Sequence, residues 1–254
     1  EVNHPYFNWN YSQLAVINEG KELIHWSEKN GWGQLYLYDG NTGRLKNKIT
    51  NGGYFITGRI QDIDTLKRKV YYQAFGKEKN VDPYYSMVYS SNFDGSGMKL
   101  ITSEKYNHRT DFSESSKFFV DNFSSVDHVP ESILKDAFGN KIMNLEMADL
   151  SLLIHAGWKM PERFKVKAAD GITDLYGVMY KPFDFDPETT AFSQLVILIC
   201  SPANANLATC VAILPNINPS ASTVFMPKPP FLQAVQNVSF LTSSNYPHFF
   251  PVWV

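Results

Sequence analysis

The sequence is poor in cysteine, has no surplus of either charge, and in its last quarter carries almost no charge at all. Only Cys200 and Cys210 are present in 254 residues, so no disulfide framework holds the first 199 residues together. Against 25 Asp+Glu stand 23 Lys+Arg, a formal charge of −2. The basic surplus that a nucleic-acid partner demands is therefore missing, and so is a polybasic membrane tether. Heptads and collagen-like repeats are absent, and an aromatic content of 15% is too rich for disorder. No initiator Met precedes Glu1 and no charged-then-apolar leader follows it, so the chain reads as mature, trimmed or a fragment, without a compartment signal. The length fits one large or two ordinary domains.

Charge disappears abruptly near residue 190. Residues 191–254 hold one charged side chain, Lys228, and no Asp or Glu, where ordinary globular sequence would place roughly a dozen or more. The same stretch holds 8 of the 14 prolines, spaced so that no helix or central strand of normal length fits after about residue 214. Leu195–Cys200 and Leu207–Leu214 are apolar, but Ser201–Asn206 separates them, and neither approaches the roughly 20 residues of a spanning helix. Residues 191–254 thus read as an atypical, apolar, proline-rich tail that is not natively folded. A sharper expectation is out-of-frame read-through; an intact reading frame through codon 190 would end that idea.

What is present is β-patterned. Candidate strands are Gln13–Asn18, Glu22–Ser27, Gln34–Tyr38, Lys46–Thr50, Lys69–Ala74, Tyr85–Ser90, Lys99–Ser103, Lys117–Asp121, Ser132–Asp136 and Lys141–Leu145. Leu35–Tyr38 and Val70–Ala74 alternate with period 2, the mark of antiparallel sheet. Asp39-Gly-Asn-Thr-Gly43, Asp94-Gly-Ser-Gly97 and Phe138-Gly-Asn140 supply the positive-φ residues that hairpin turns need. The hairpins Tyr36–Thr50 and Val88–Thr102 resemble each other, with Ser132–Glu146 as a third copy. Aligning Gly43, Gly97 and Gly139 gives steps near the roughly 40–50 residues of a propeller blade. The expected fold is mainly β: a partial β-propeller of two to three four-stranded blades over residues 1–146. A β-sandwich is the rival, and it predicts no repeat. The one helix expected is Met147–Ala156, stopped by Gly157. Phe164–Gly171 and Leu175–Tyr180 then form a hairpin, and Lys181–Pro187 a loop.

Motifs of chemistry are scarce. His4, His25, His108, His128, His155 and His248 form no His-x-x-x-His pattern, and no Cys-x-x-Cys occurs, so zinc is not expected. His25, between Ile24 and Trp26, reads as a satisfied strand histidine. Asp62, Asp64, Asp82, Asp94, Asp121 and Asp127 read as turn residues, because an ordered calcium loop is missing and Asp184-Phe-Asp186 is too short to be one. The pairs Tyr71-Tyr72, Tyr84-Tyr85 and Phe118-Phe119 could stack on bases, but without a basic groove they read as blade packing. No glycine-rich phosphate loop appears.

Ile24–Asp39, Asp82-Pro-Tyr-Tyr85, Asp94-Gly-Ser-Gly97 and Phe119-Val-Asp-Asn122 resemble the late propeller blades of the dipeptidyl peptidase IV family of serine peptidases, bacterial members above all. Phe164–Pro187, especially Asp170-Gly-Ile-Thr-Asp-Leu-Tyr-Gly-Val-Met-Tyr-Lys-Pro-Phe-Asp-Phe-Asp-Pro187, looks like the strand pair that opens this family's α/β-hydrolase domain. The resemblance covers roughly residues 13–188. It implies an eight-bladed propeller capping a hydrolase domain with a Ser-Asp-His triad, which removes N-terminal dipeptides or tripeptides, typically after proline. It also implies peptide partners, homo-oligomers through the propeller or hydrolase domain, and a periplasmic, secreted or cell-surface location.

Residue by residue, little of that machinery transfers. No Gly-x-Ser-x-Gly elbow exists, and Gly95-Ser-Gly97 belongs to a blade turn. Where the family carries its oxyanion-hole tyrosine stands Leu195–Pro202, without one. The paired glutamates that grip a substrate amine belong to an earlier propeller segment. Trp9, flanked by Asn8 and Asn10 where the family has arginine, receives no role. Catalytic, cofactor and metal residues are therefore expected to be none, and substrate-binding residues are unassigned. Residues 147–190 are expected to be a linker helix and opening peptidase strands. The leading reading is a catalytically silent fragment of such a peptidase. The alternative is a stand-alone β-repeat module that binds peptide or protein, and a third is a periplasmic fragment anchored by its apolar tail. Protection of residues 191–254 in limited proteolysis would favour the module.

Overall fold

The structure, a computed structural model, describes residues 12–52, 56–168, 170–181, 196–200 and 211–213. It divides into two units, Glu1–Ala148 and Asp149–Val254. The first unit contains three antiparallel sheets of four strands in simple meander order. The first sheet comprises β1 (Leu14–Ile17), β2 (Glu22–Ser27), β3 (Gln34–Asp39) and β4 (Leu45–Lys48). The second comprises β5 (Ile56–Asp64), β6 (Lys69–Phe75), β7 (Met87–Asn92) and β8 (Lys99–Leu100). The third comprises β9 (Asn107–Phe112), β10 (Phe118–Ser125), β11 (His128–Asp136) and β12 (Lys141–Met147).

Strand periodicity explains how the sheets stack. Val70, Tyr72, Ala74, Met87 and Tyr89 of the second sheet pack with Ile24, Trp26, Leu35 and Leu37 of the first. The intervening Tyr71 and Val88 point the other way, onto Phe119 and Ala137 of the third. A strand buried on both faces needs a continuous apolar run rather than alternation, and Val70-Tyr71-Tyr72 supplies one. The first two sheets are also clamped by charge. Glu22 of β2 accepts both guanidinium nitrogens of Arg68, at 2.8 and 3.1 Å, and the ammonium of Lys46. The hydrogen bonds from Arg68 and then Lys46 hold the Glu22 carboxyl down at about 2 against the opposing effect of burial.

The sheets repeat one another in hydrogen bonding. Gly40, Phe93 and Ala137 each donate their amide to the carbonyl of the first-hairpin turn, on Lys21, Arg68 and Lys117 respectively. The hydroxyls of Thr50 and Thr102 accept from the amides of Leu35 and Val88. The repeat aligns Gly139 with Gly95 rather than with Gly97, since both amides return to the carbonyl three residues back. Both glycines have φ of +87°, and both abut a carbonyl of the preceding sheet, Ile101 for Gly139 and Lys48 for Gly95. The first such turn, Asp39–Gly43, is one residue longer, with the Gly43 amide returning to Asp39, so Gly43 is the counterpart of Gly95 and counting to Gly97 misaligns the copies.

Two strands of the first unit were absent from the sequence expectation, β5 and β9, the first strands of their sheets. In β9 the inward positions are His108 and Thr110, and the outward ones Asn107, Arg109 and Asp111, so no hydrophobic alternation marks it. Two assignments to turns are corrected. Asp62 lies within β5, and Asp121 lies in the middle of β10 at 0% exposure. Asp64, Asp82 and Asp94 do accept turn amides, from Lys67, Tyr84 and Ser96.

In the second unit α1 is a short helix, Ser151–His155, and Met147 belongs to β12 instead. Its Leu152, Leu153 and Ile154 are exposed. β13 (Glu162–Lys167) and β14 (Asp174–Tyr180) make the expected hairpin. It is extended antiparallel by the backbones of β15 (Val196–Cys200) and β16 (Val211–Ile213), two stretches within the charge-poor tail. Trp9 with its flanking asparagines, Cys210, the remainder of the 191–254 tail and the loop after Lys181 lie outside the described residues. Among the described residues no helix is long and apolar enough to cross a membrane.

Candidate functional site

In a four-stranded meander, the loop between the second and third strands emerges at the same end as the connection to the next sheet. At that end of the second sheet lie the β6–β7 loop and the β8–β9 connection, tied together by His108 N–H donating to the Ser86 carbonyl and Ser86 N–H to Asn107 Oδ1. The two segments line an open cleft of about 700 Å³ bounded by Lys77, Glu78, Lys79, Asn80, Val81 and Lys105. Glu78 accepts a 2.6 Å hydrogen bond from the Tyr89 hydroxyl, and the Lys77 ammonium lies 5.7 Å from the Tyr89 ring centre. The cleft therefore carries three ammonium groups and one carboxylate, that carboxylate being tied to a buried phenol.

Below Lys105 sits a buried ionic quartet. Lys135 of β11 reaches Glu104 at 2.6 Å and Asp121 at 3.0 Å. His108 of β9 places Nδ1 2.8 Å from Asp121 and Nε2 2.7 Å from the Glu104 carbonyl. His108, Asp121 and Lys135 are at most 1% exposed. Both imidazole nitrogens thus face oxygen atoms of the protein. Burial pushes the Glu104 carboxyl up, but the hydrogen bond from Lys135 and its charge outweigh this and hold it below the usual range.

Glu104, His108 and Asp121 offer ligand atoms within 4.8 Å of one another, as a metal site would. The Lys135 ammonium takes the position between the two carboxylates that a cation would need, and neither His108 nitrogen is left to ligate. The quartet fixes Glu104 through both side chain and backbone.

A triad-like reading of the histidine–carboxylate pairs fails on geometry. No hydroxyl or thiol among the described residues is hydrogen-bonded to His108 or His128. His128 pairs with Glu131 at 2.8 Å and stacks on Tyr106 with ring centres 4.1 Å apart, while the nearby Ser125 hydroxyl donates to Asp127. A nucleophile needs its base within hydrogen-bond reach. His25 lies in β2 with Nδ1 3.2 Å from the Gln13 carbonyl. Gly95-Ser-Gly97 forms the β7–β8 turn, with positive φ at both glycines. Neither the cleft nor the quartet was legible in the sequence. The cleft needs Lys105 brought back to the Lys77–Val81 loop, and only the pairing of β9, β10 and β11 gathers His108, Asp121 and Lys135.

Three stacked four-stranded meanders with a repeated junction define a partial β-propeller. Residues 1–130 match the family model for the dipeptidyl peptidase IV N-terminal region, just over half the chain. This chain belongs to the dipeptidyl peptidase IV family. Among solved structures, one from Bacteroides ovatus described as a dipeptidyl aminopeptidase IV aligns with a TM-score of 0.57 at 22% identity, covering 73% of this chain and 28% of that one. Porphyromonas gingivalis dipeptidyl peptidase 4 aligns with a TM-score of 0.53 at 22% identity, covering 70% and 24%. The chain thus spans about a quarter of the length of the structures it matches.

Proposed function

We propose that this chain is part of a serine exopeptidase that, when complete, releases dipeptides or tripeptides from peptide N-termini after proline. In that parent the blades gate access and position the substrate, while the nucleophile, its base and its oxyanion partner lie outside the blades. The observation that carries this reading is the family match across the blades. It is supported by the lack of a base-linked hydroxyl at His108 and His128. The chain alone is then catalytically silent, and the parent works outside the cytoplasm. The test is incubation of the full chain with a glycyl-prolyl chromogenic amide. No turnover is expected; turnover that a serine-directed phosphonate abolishes would overturn the reading.

A second reading, a stand-alone β-repeat module that binds peptide or protein, is favoured by the open cleft of Lys77–Val81 and Lys105. The two are separated by sequencing the locus on both sides: a hydrolase-encoding continuation in frame supports the peptidase, and an isolated frame supports the module.

A further inference from the structure

At both ends of the stack of three sheets, apolar side chains are exposed at positions that are buried between the sheets. The equivalent amides of Gly40, Phe93 and Ala137 fix which positions correspond. Counted from them, Leu134 and its partner Val120 stand in the third sheet where Leu37 and its partner Ile24 stand in the first. Ile24 and Leu37 are buried against the second sheet, whereas Val120 and Leu134 are only half-buried. At the other end, Leu23 stands where Val70 stands in the second sheet, and it is half-buried where Val70 is buried. Beside it in the first sheet, Leu14 and Val16 are 61% and 62% exposed.

The outer strand of the third sheet departs from its two counterparts. β4 is Leu45-Lys-Asn-Lys48 and β8 is only Lys99-Leu100, both short and rich in lysine. Such edges discourage pairing with another chain. β12 has seven residues and carries Ile142, Met143, Leu145 and Met147. Its register against β11 shifts twice, once on each side of the Ile133–Leu134 pair. Bulges of this kind break the two-residue alternation and re-aim side chains. Met143 joins Leu134 and Val120 in one cross-strand row, and Phe118, Ile142, Met143 and Leu145 are all about half exposed. Contiguous exposed apolar surface marks an interaction site.

We propose that a second copy of this chain covers both faces head to tail, its first sheet stacking on the partner's third sheet and its third on the partner's first. The contact continues the two junctions already inside the chain, where one face of each sheet meets the opposite face of the next. The row Val16, Leu23 and Tyr38 of the first sheet corresponds to the Val70 row that fills the first junction. Closure selects the number of copies. Propellers close with about four to eight blades, so two copies of three sheets suffice, whereas one is too few and three too many. A face of four strands spans roughly 19 by 20 Å, so the two junctions together cover roughly 1,600 Å², the standard size of a stable interface. The inference rests on the blades and not on the peptidase reading. In a parent with further blades the same faces would be met within one chain.

The experiment is light scattering coupled to size exclusion on the full chain at about 10 μM, the weak end of the affinities that interfaces of this size reach. A mass of two chains is expected. It should persist in about 1 M salt, where charge pairs are screened and an apolar contact is not weakened. One double variant, Leu14→Glu with Val16→Glu, spoils the first face, and another, Ile142→Glu with Met143→Glu, spoils the third. Each should raise the dissociation constant at least about a hundredfold and run as a monomer, because two unpaired carboxylates would be buried at each junction. A control pair, Leu152→Glu with Ile172→Glu, alters exposed apolar residues of the second unit and should leave the dimer intact. Circular dichroism of each variant reports retention of the sheets, so a monomer that has lost its fold is recognised. The two face variants also separate head-to-tail stacking from a contact between like faces, which would leave one of them dimeric. A monomeric parent chain, a dimer surviving in either face variant, equal loss in the control, dissociation by salt, or an open-ended series of larger species would each overturn the proposal.

Discussion

Acidification should loosen the clamp between the first two sheets before it disturbs their apolar core. Glu22 is 5% exposed and receives Arg68 through both guanidinium nitrogens, Lys46 and Asn18. Its carboxyl is lowered from 4.5 to about 2, first by the Arg68 hydrogen bonds and then by Lys46. A carboxyl depressed on folding contributes stability above its unfolded value, and the contribution is lost as pH falls toward the folded value. The window is therefore about pH 4.5 down to about 2. At about 1.36 kcal/mol per pH unit the ceiling is about 3 kcal/mol. Lys46 and Arg68 are 41% and 48% exposed, however, so solvent screens the pairs and about 1–2 kcal/mol is the realistic share. The assay is urea unfolding of the full chain and of Glu22→Gln at several pH values between 6 and 2.5. The variant should be less stable by about 1–2 kcal/mol at pH 6, and the two curves should converge as pH falls. A difference that stays constant across the window would refute the reasoning, because an uncharged packing effect does not titrate.

Lys135→Met should cost about 3–5 kcal/mol in the same denaturation assay, since it leaves Glu104 and Asp121 without their shared cation; a cost under about 1 kcal/mol would contradict the pairing. Gly95→Ala should cost at least about 1 kcal/mol more than Gly43→Ala. Both have positive φ, but only at Gly95 would the added carbon meet a carbonyl, that of Lys48 at 2.6 Å, and equal costs would show that the turn shifts freely. Burial raises the Tyr72 phenol to about 12, so stability should fall between about pH 10 and 12, where the unfolded chain ionises first. Tyr72→Phe should flatten that alkaline limb, and an unchanged limb would place its origin elsewhere.

What the sequence disclosed follows the physics of each signal. Leu35–Tyr38 and Val70–Ala74 announced their strands because aliphatic and aromatic residues do the packing there. Positive-φ glycines announced the turns, because few other residues tolerate that conformation. The first strands of the second and third sheets stayed hidden, since Thr57 and His108 sit at inward positions where a hydrophobic residue was the expected sign. The quartet was hidden for a further reason. Asp121 looks like any turn carboxylate until β10 is paired with β9 on one side and β11 on the other, which brings His108 and Lys135 to it. Charged side chains betray burial only through their partners, and partners across a sheet have no fixed spacing in sequence.

The two junctions between sheets show how one backbone arrangement supports different chemistry. At the first, Thr57 donates its amide and its hydroxyl to the Gly33 carbonyl, and its own carbonyl accepts from the Trp26 indole, inside an apolar core that extends through Leu35 and Tyr72. At the second, His108 donates its amide to the Ser86 carbonyl in the same way, but its side chain leads into Asp121, Lys135 and Glu104. The apolar cluster there is smaller, formed by Tyr71, Val88, Ile101, Phe119 and Ala137 with Phe112 against it. A buried ion network of this kind contributes less stability than well-packed hydrocarbon of the same volume. What the network does fix is Glu104, held at its carboxylate by Lys135 and at its carbonyl by His108. Replacing the four side chains by hydrophobic residues of similar volume is therefore expected to leave stability in urea unchanged or raised, and a loss of several kcal/mol would refute that reasoning.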